Sequence, residues 1–381
     1  MKVSYYRCFA SDQRISMQVY ADALMKALDS SCLELRSFQP CSRLEALSSS
    51  RLVMRYLRYF RYPRMLSTCN ADIHHIIDHG YAHLVANLSP GKRCITVHDL
   101  IPMLAWKGLL NQGDKKGDIV YQTHKPRLNL YSLSFLSKFD QIIAVSQSTA
   151  DDLVEYLGLQ PQRISVIPPI IDRHFSPVSD QRVDQFAEQH KLRRDIKWIM
   201  VSGQEFYKNH LTSLRVLKEL DAQSDAKIKL LKTGLPSAHF DTAVAELGLQ
   251  GLVRQIFVED QAQLPLLYNL VDCLLFPSLY EGFGMPVIEA LACGTPVIIS
   301  DRGSLPEVAG GLAPAYNPFD IDGLSKAVHS SLFQDDQKLK IAAQAPAWVR
   351  QFQADRVAAS MQNLYQKMLA CQDQPGQMPG M

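Results

Sequence analysis

The sequence lacks the features that mark membrane-spanning, secreted and zinc-ribbon proteins. Within its 381 residues no apolar run approaches the roughly 20 residues that a spanning helix needs. No secretory pattern is recognisable, because Asp12, Gln13 and Arg14 interrupt the N-terminal segment before a long apolar stretch forms. The eight cysteines contain no C-x-x-C pair, which argues against a zinc ribbon and favours reduced thiols. We therefore expect a cytoplasmic protein.

The chain as a whole also lacks a large excess of charge. It has 40 Lys and Arg against 38 Asp and Glu, and no nucleic-acid-binding motif is visible, so we expect no nucleic-acid partner. The basic excess lies in residues 1–70, with 11 basic and 5 acidic residues, and most of it in the segment 51–64. Five arginines recur there at helical spacing among aromatic and aliphatic residues. Such a helix either lies on the anionic inner face of a membrane or packs against its own domain.

Composition and length indicate a globular chain of two domains. Apolar residues make up 47% and charged residues 20%, an ordinary balance for a folded protein. Runs typical of strands alternate with helical patterns in both halves, and Pro168 and Pro169 interrupt this alternation. We predict one domain over 1–170 and a second over 171–371, whose last helix returns to the first domain. A disordered tail is predicted over 372–381.

Repeated β-α units predict an α/β fold with two doubly wound, Rossmann-like parallel sheets. In open sheets of this kind ligands bind beyond the carboxyl ends of the strands. We therefore expect the two domains to face each other across a cleft that contains the site. The predicted strands are Val3–Tyr6, Cys32–Ser37, Ile73–Ile77, Arg93–Val97, Gln141–Val145, Ile164–Ile167, Trp198–Val201, Ile228–Lys232, Val253–Val258, Val271–Phe276 and Val297–Ser300.

The segment 271–300 combines a strand, a glycine-containing loop and a helix start. The strand ends at Pro277, and Pro286 suits the first position of the helix that follows. The exposed N–H groups and the dipole at such a helix start attract an anion, most plausibly phosphate. Glu281 in the loop and Glu289 in the helix can each accept hydrogen bonds from neighbouring hydroxyls. The pattern indicates a nucleotide sugar, although two solvated glutamates on an ordinary β-α unit would have the same spacing.

The stretch S-L-Y-E-G-F-G-M-P-V-I-E-A-L-A-C-G-T-P-V-I-I-S-D-R-G-S-L-P-E-V resembles the signature of the family four retaining glycosyltransferases. That family has the two-domain GT-B fold and uses nucleotide-activated sugars. The resemblance implies that Glu289 holds the ribose hydroxyls and that Glu281 contacts the transferred sugar. It also implies that the amides of Gly282, Phe283 and Gly284 face the sugar and the diphosphate.

The segment V-S-G-Q-E-F-Y-K-N-H, residues 201–210, is similar to a second part of the family's sequence. The resemblance implies that Lys208 neutralises the leaving diphosphate and that Gly203 and Asn209 help to bind the donor. Family members often have Arg-Lys-Asn here, and Tyr207 replaces the first cation. Either Lys208 then acts with the helix dipole alone, or another arginine substitutes.

The first domain carries a third resemblance and two departures from it. His98 follows a predicted strand, and the family's histidine at this place contacts the sugar beside the reacting centre. Residues 12–16 stand where many members have paired glycines, and the hinge at 169–172 lacks the usual glycine. The loop at 12–16 usually lies near the donor and the acceptor, so acceptor binding is the least transferable part of the resemblance.

We expect neither a metal ion nor another cofactor. Asp320 and Asp322 match the aspartate pair of metal-dependent glycosyltransferases of another fold, but they precede a helical pattern in which Asp322 suits the N-cap. A predicted strand and turn separate the members of a histidine cluster, so that they do not share one helical face. These histidines are His74, His75, His79 and His83.

Together these patterns predict a metal-independent, retaining hexosyltransferase of polysaccharide or glycoconjugate synthesis. The stretches G-S-L-P-E-V and T-V-H-D-L resemble mannosyltransferases, so GDP-mannose is the first expected donor and a UDP-sugar such as UDP-glucose the second. The expected acceptor is a glycan or a lipid-linked saccharide. Two alternatives stay open: a catalytically silent nucleotide-sugar-binding protein, and another GT-B enzyme such as a sugar-nucleotide epimerase or phosphorylase.

Overall fold

The chain divides into two compact units, which a computed structural model describes over residues 1–12, 14–29, 33–40, 50–66, 70–111, 123–224, 226–258 and 260–370. The first unit contains Met1–Met103, His124–Ile170 and the segment from Phe352 onward; the second contains Leu104–Thr123 and Ile171–Gln351. The tail predicted over 372–381 lies outside the described residues. So do four of the eight cysteines, and the other four are buried free thiols: Cys8, Cys94, Cys273 and Cys293.

Among the described residues each unit contains six strands, and all the strand pairs are parallel. The strands of the first unit are β1 Lys2–Tyr6, β2 Glu34–Phe38, β3 Ile73–Ile76, β4 Lys92–Val97, β5 Gln141–Ala144 and β6 Ile164–Val166. Those of the second unit are β7 Lys197–Ser202, β8 Ile228–Thr233, β9 Val253–Ile256, β10 Cys273–Phe276, β11 Val297–Ser300 and β12 Ala315–Tyr316.

Helices connect the strands in both units. The α-helices are α1 Ile15–Leu28, α2 Arg51–Tyr56, α3 Tyr62–Met65, α4 Ile101–Trp106, α5 Arg127–Leu133, α6 Gln147–Leu157, α7 Asp180–Gln189, α8 His210–Gln223, α9 Ala238–Leu247, α10 Leu264–Leu270, α11 Met285–Ala292, α12 Leu305–Ala309, α13 Ile321–Phe333, α14 Asp336–Val349 and α15 Ala354–Ala370. A π-helical turn, Leu57–Arg61, joins α2 to α3, and a 3-10 segment spans His79–Asn87. In the described part of the chain, no helix has both the length and the apolar character needed to cross a bilayer.

The first unit is a six-stranded sheet in the order β2-β1-β3-β4-β5-β6. The chain order reverses between β1 and β3, which pair directly, so the carboxyl ends of these two strands form the switch point of the sheet. Helix α15 packs on this sheet in one apolar cluster with β1 and α1. Its Tyr365 hydroxyl lies 2.7 Å from the Tyr5 hydroxyl and 2.7 Å from Nδ1 of His75. The last described helix is therefore part of the first unit's core.

The second unit has the strand order β12-β11-β10-β7-β8-β9. Here the order reverses between β7 and β10, and the residues of β10 and β11 are all buried, as expected for central parallel strands with helices on both faces. Loops that leave the carboxyl ends of β7 and β10 therefore meet at the switch point. The two-sheet α/β architecture predicted from the sequence is confirmed.

The basic segment is helical, as predicted, but its side chains divide between two environments. Leu57 and Tyr62 are fully buried in the first unit, whereas Leu52 and Phe60 are exposed. The π-helical turn contributes Arg58, whose guanidinium hydrogen bonds to the Gly80 carbonyl instead of facing solvent. One side of the segment thus packs on its own domain and the other faces outward.

The bounds of the elements differ from the predictions by a few residues, and one cap is corrected. Asp320, not Asp322, is the N-cap of α13, because its Oδ1 accepts a hydrogen bond from the Gly323 amide at 3.0 Å. An N-cap residue lies just outside the helical backbone, and Asp322 is already within the first turn. There it pairs with Lys326 one turn later, 2.7 Å away.

Candidate functional site

The loops after β7 and β10 bring two of the predicted catalytic residues into contact. Nζ of Lys208 lies 2.9 Å from Oε1 of Glu281, and these side chains are only 11% and 8% exposed. The ammonium also lies 4.7 Å from the centre of the Phe276 ring, at the end of β10. Burial in an aromatic pocket strengthens this ion pair and makes the loss of either partner costly. Each charge therefore compensates the other.

The loop that carries Glu281 is held by residues at the start of α12, of which Ser304 is the N-cap. Oγ of Ser304 lies 3.0 Å from the Glu281 carbonyl oxygen and 2.7 Å from the Phe283 carbonyl oxygen, and its single hydrogen serves these two acceptors. Gly303 approaches so closely that a Cβ there would lie 2.7 Å from the Glu281 carbonyl oxygen. Together with Gly282, which is also buried, these residues give the loop one rigid path. The sequence analysis missed Ser304, because a serine outside the loop gives no signal of its own.

Helix α11 begins directly after this loop. Its N-cap is Gly284, with φ at 94°, a left-handed conformation that favours glycine. A Cβ at this position would also lie 2.7 Å from Cδ2 of Leu305. Pro286 is the second residue of the helix, one place after its predicted position, and in the first turn its missing N–H costs no helical hydrogen bond. The arrangement leaves the helix start suited to an anion.

Glu289 lies on α11 and is held by a residue that the sequence analysis missed. The hydroxyl of Tyr268, on α10, donates to Oε2 of Glu289 at 2.8 Å. Burial raises the pKa of Glu289 to about 7, although the Tyr268 hydrogen bond and the charge of Lys208 lower it. The carboxyl group therefore titrates near neutral pH. Tyr268 lies in a run, L-P-L-L-Y-N-L, whose helical periodicity identifies it only as a core residue.

Gly203 and Asn209 support Lys208 on either side. With φ at 91°, Gly203 lies against the lysine side chain, and a Cβ there would be 2.9 Å from Cε of Lys208. Asn209 is fully buried in a left-handed conformation, and its Nδ2 donates to the carbonyls of Pro277 at 3.1 Å and Pro318 at 3.0 Å. These contacts position the loop after β7. Direct contact of either residue with a donor stays a prediction.

In the first unit, His98 follows β4 and is almost fully buried. Its Nε2 lies 2.9 Å from the Ile77 carbonyl, which can only accept a hydrogen bond, so Nε2 carries the proton. Burial lowers the pKa of His98, although Asp78 opposes this. The neutral ring therefore has its lone pair on Nδ1. An edge-to-face contact with Tyr20, with ring centres 4.8 Å apart, fixes the plane of the ring.

Asp12 and Arg14, in the loop where the family resemblance implies paired glycines, belong to an ion-pair network. Arg14 lies 2.6 Å from the buried carboxylate of Asp78, and Oδ2 of Asp12 accepts a 2.8 Å hydrogen bond from Tyr81. Arg58 adds a second cation 3.4 Å from Asp12. Burial alone would raise the pKa of Asp78, but the neighbouring Arg14 holds it well below its usual range. The loop is thus held by charge pairs across the switch point of the first sheet.

The four clustered histidines have other partners. His74 bonds to the hydroxyl of Tyr6 on β1, His75 bonds to the hydroxyl of Tyr365 on α15, and Nε2 of His83 lies 3.0 Å from the Arg58 carbonyl. Nδ1 of His79 lies 3.4 Å from the amide of His98. Among the residues that the structure describes, no group of three or more His, Cys, Asp or Glu side chains is arranged to hold a metal ion.

The fold is similar to that of several solved glycosyltransferase structures. Sucrose-phosphate synthase from Thermosynechococcus elongatus superposes with a TM-score of 0.73 over 97% of this chain and 100% of that one, at 17% identity. HepE of Anabaena, solved in complex with UDP and glucose, gives a TM-score of 0.69 over 96% of this chain and 99% of that one, at 15% identity. At this identity the likeness concerns the fold, which is the GT-B type predicted from the sequence.

Sequence relatives include bacterial mannosyltransferases. The serotype-specific mannosyltransferase WbdA of Escherichia coli is 27% identical over 273 residues, which are 69% of this chain and 32% of that protein. The O-antigen chain mannosyltransferase B of Escherichia coli is 27% identical over 228 residues, 59% of this chain and 60% of that protein. The chain therefore spans less than two thirds of the length of these relatives.

Two family models match successive parts of the chain. Residues 13–175 match Glycosyltransferase Family 4, and residues 182–347 match Glycosyl transferases group 1. The first match includes the loop with Arg14 and the strand end with His98, and the second includes Lys208, Glu281 and Glu289. The chain belongs to the family 4, group 1 glycosyltransferases.

Proposed function

We propose that the chain is a retaining hexosyltransferase that moves a sugar from a nucleotide donor to a glycan or lipid-linked acceptor. The observation that carries this proposal is the meeting of Lys208, Glu281, Glu289 and the start of α11 at the switch point of the second sheet. This edge offers a cation and a helix dipole for a diphosphate, and carboxylates for ribose and sugar hydroxyls. The relatives named as mannosyltransferases favour the same chemistry.

In the proposed reaction the diphosphate displaces Glu281 from Lys208. The bond between the anomeric carbon and the phosphate oxygen breaks, and the electron pair leaves with the diphosphate, which Lys208 and the amides at 282–284 stabilise. The acceptor hydroxyl attacks the same face of the sugar, and the departing phosphate oxygen takes its proton. Glu281, released from the ion pair, accepts a hydrogen bond from a sugar hydroxyl. No step requires a metal ion.

From the first unit, we propose that His98 accepts a hydrogen bond from a hydroxyl of the transferred sugar. Its Nδ1 lone pair and fixed ring plane suit this role. A neutral imidazole is the form required, and the lowered pKa keeps it neutral at physiological pH.

The donor we propose first is GDP-mannose, and UDP-glucose second. The names of WbdA and the O-antigen enzyme favour mannose, whereas HepE was solved with UDP and glucose. For the location we propose the cytoplasm, with peripheral attachment to the inner face of the membrane through 51–64. The exposed arginines and apolar side chains of that segment support attachment.

A donor screen tests the proposal. The protein is heated with GDP- and UDP-sugars, since a ligand that binds the folded state raises its melting temperature. The stabilising donor is then incubated with saccharide acceptors, and nucleoside diphosphate release and product anomer are measured with and without EDTA. Transfer with retention that is insensitive to EDTA is the expected result. Donor binding without any turnover would instead support a silent binding protein, and interconversion of the sugar without release an epimerase.

A further inference from the structure

Two helical segments of the first unit form a groove on its surface. The hydroxyl of Tyr59, in the π-helical turn, donates to the Leu128 carbonyl on α5 at 3.2 Å, and the rings of Tyr59 and Tyr131 are 6.0 Å apart. The groove has a volume of about 910 Å³. Its lining residues come from both segments, 52–60 and 125–131.

The groove concentrates exposed apolar side chains. Of the twelve large hydrophobic residues that are exposed in the described part of the chain, five line it. Leu52 is 74% exposed and Phe60 57%, and the others are Tyr56, Leu128 and Tyr131. Soluble proteins rarely leave so many apolar side chains together in water, so such a patch indicates a partner.

Cations surround this apolar surface. Arg55, Lys125 and Arg127 are exposed lining residues, and none of the eleven described lining residues is acidic. Arg61 and Arg64 are exposed further along the same segment. The inward-facing Arg58 is excluded from this set, because it binds the Gly80 carbonyl and Asp12. Apolar side chains flanked by exposed cations complement an anionic amphiphile.

We propose that this groove binds an anionic phospholipid of a bilayer. The lipid phosphate pairs with Arg55, Lys125 and Arg127, and an acyl chain lies along Leu52, Phe60 and Leu128. An acidic peptide would satisfy the cations but not the apolar surface. Membrane attachment therefore requires a site that two segments, 51–64 and α5, form together in the folded protein. The inference deepens the proposed peripheral location and rests on it, but lipid binding is measured without donor or acceptor, so its failure is distinguishable from a failure of transfer.

Vesicle flotation tests the site with phosphatidylcholine vesicles that contain or lack phosphatidylglycerol. We expect binding to the anionic vesicles only. The triple variant Arg55→Ala, Lys125→Ala, Arg127→Ala should bind about a hundredfold more weakly, since each cation near an anionic surface contributes about 1 kcal/mol. The matched control is Lys218→Ala, Arg254→Ala, Lys338→Ala, which removes three exposed cations of the second unit and should leave binding unchanged.

A second variant tests the groove itself at constant charge. Phe60→Ser with Leu128→Ser should weaken binding to anionic vesicles at least tenfold, because the acyl chain loses its contacts. Circular dichroism identifies variants that fail to fold, and for these the milder Phe60→Ala replaces the pair. Equal binding to neutral and anionic vesicles would overturn the proposal. So would equal losses in the two triple variants, or normal binding by the groove variants.

Discussion

Lys208 and Glu281 form a buried ion pair, which constrains how an anion can bind to Lys208. A diphosphate that takes Lys208 as its partner must leave Glu281 with a replacement, because an unpaired buried carboxylate is costly. A sugar hydroxyl that donates to Glu281 supplies that replacement. The nucleotide and the sugar therefore bind best as one molecule, and a free nucleoside diphosphate leaves the carboxylate without its hydroxyl partner.

Replacing Lys208 should affect turnover more than folding. Lys208→Ala removes the cation that we propose stabilises the leaving group, and we expect the rate of transfer to fall about 10²–10³-fold, the loss typical of one charge-stabilising donor. Lys208→Arg should retain more activity, because it keeps the charge. Steady-state release of nucleoside diphosphate measures both variants, and Lys218→Ala, at an exposed lysine of α8, is the control. Near-normal turnover in Lys208→Ala would show that another group stabilises the diphosphate.

The raised pKa of Glu289 predicts how donor binding depends on pH. In the proposed complex the Glu289 carboxylate accepts hydrogen bonds from both ribose hydroxyls, and the carboxyl group loses its proton as the pH rises through about 7. We therefore expect donor affinity to rise about tenfold between pH 6 and pH 8. A nucleotide sugar is the right probe, because a terminal phosphate would itself titrate near pH 6. Calorimetric titration at a series of pH values measures this effect.

Two variants separate Glu289 from other titrating groups. Glu289→Gln should bind the donor weakly and with little dependence on pH, since the amide does not titrate. Tyr268→Phe removes the hydroxyl that lowers the pKa of Glu289, so the rise in affinity should shift to higher pH. An unchanged pH profile in Glu289→Gln would assign the titration to a different residue.

At the scale of the element, the start of α11 depends on its left-handed glycine. Gly284→Ala introduces both an unfavourable φ and a Cβ 2.7 Å from Leu305. Gly294 is a matched control, because its φ is 80° but a Cβ there would meet nothing within 4 Å. We expect both alanine variants to lose about 1 kcal/mol or more in urea unfolding, and only Gly284→Ala to lose donor affinity as well. Equal donor affinities in the two variants would show that the start of α11 does not contribute to donor binding.

The strands, and the glycine loop that feeds α11, could be predicted from the sequence because local patterns determine them. A run such as Val297–Ser300, bounded by Pro296, has the apolar character of a buried parallel strand, and its predicted bounds are confirmed. Pro286 likewise marked the start of α11. For these elements the residues adjacent in sequence are enough to predict where the element begins and ends.

Contacts between distant segments could not be predicted in this way. The sequence identified Lys208 and Glu281 separately, but their 2.9 Å pairing depends on two loops 73 residues apart meeting at the switch point. Arg58 has the same spacing as its exposed neighbours, and only the π-helical turn directs it inward. Tyr268 and Ser304 act through hydrogen bonds that no local pattern encodes.

At the scale of the whole molecule, the first unit is built from segments that are not contiguous in sequence. Helix α15 comes after the whole second sheet, yet Val357, Met361 and Tyr365 lie in the apolar cluster of the first unit. The first unit's core therefore combines segments from opposite ends of the described chain. Long-range closure of this kind makes the fold depend on contacts between segments that are distant in sequence.

Truncation tests this dependence. A chain that stops after Gln351 lacks α15 and exposes the apolar cluster of β1 and α1, so we expect the first unit to lose its cooperative unfolding transition in urea. A chain that stops after Ala370 keeps every described contact of α15 and should unfold like the full chain.

A point substitution tests one contact of α15. Tyr365→Phe removes the hydroxyl that bonds Tyr5 and His75, and should lower the free energy of unfolding by about 1–3 kcal/mol. Gln366→Ala, at an exposed position of the same helix, should cost far less. If the chain that stops after Gln351 unfolded at the same urea concentration as the full chain, α15 would not be part of the first unit's core.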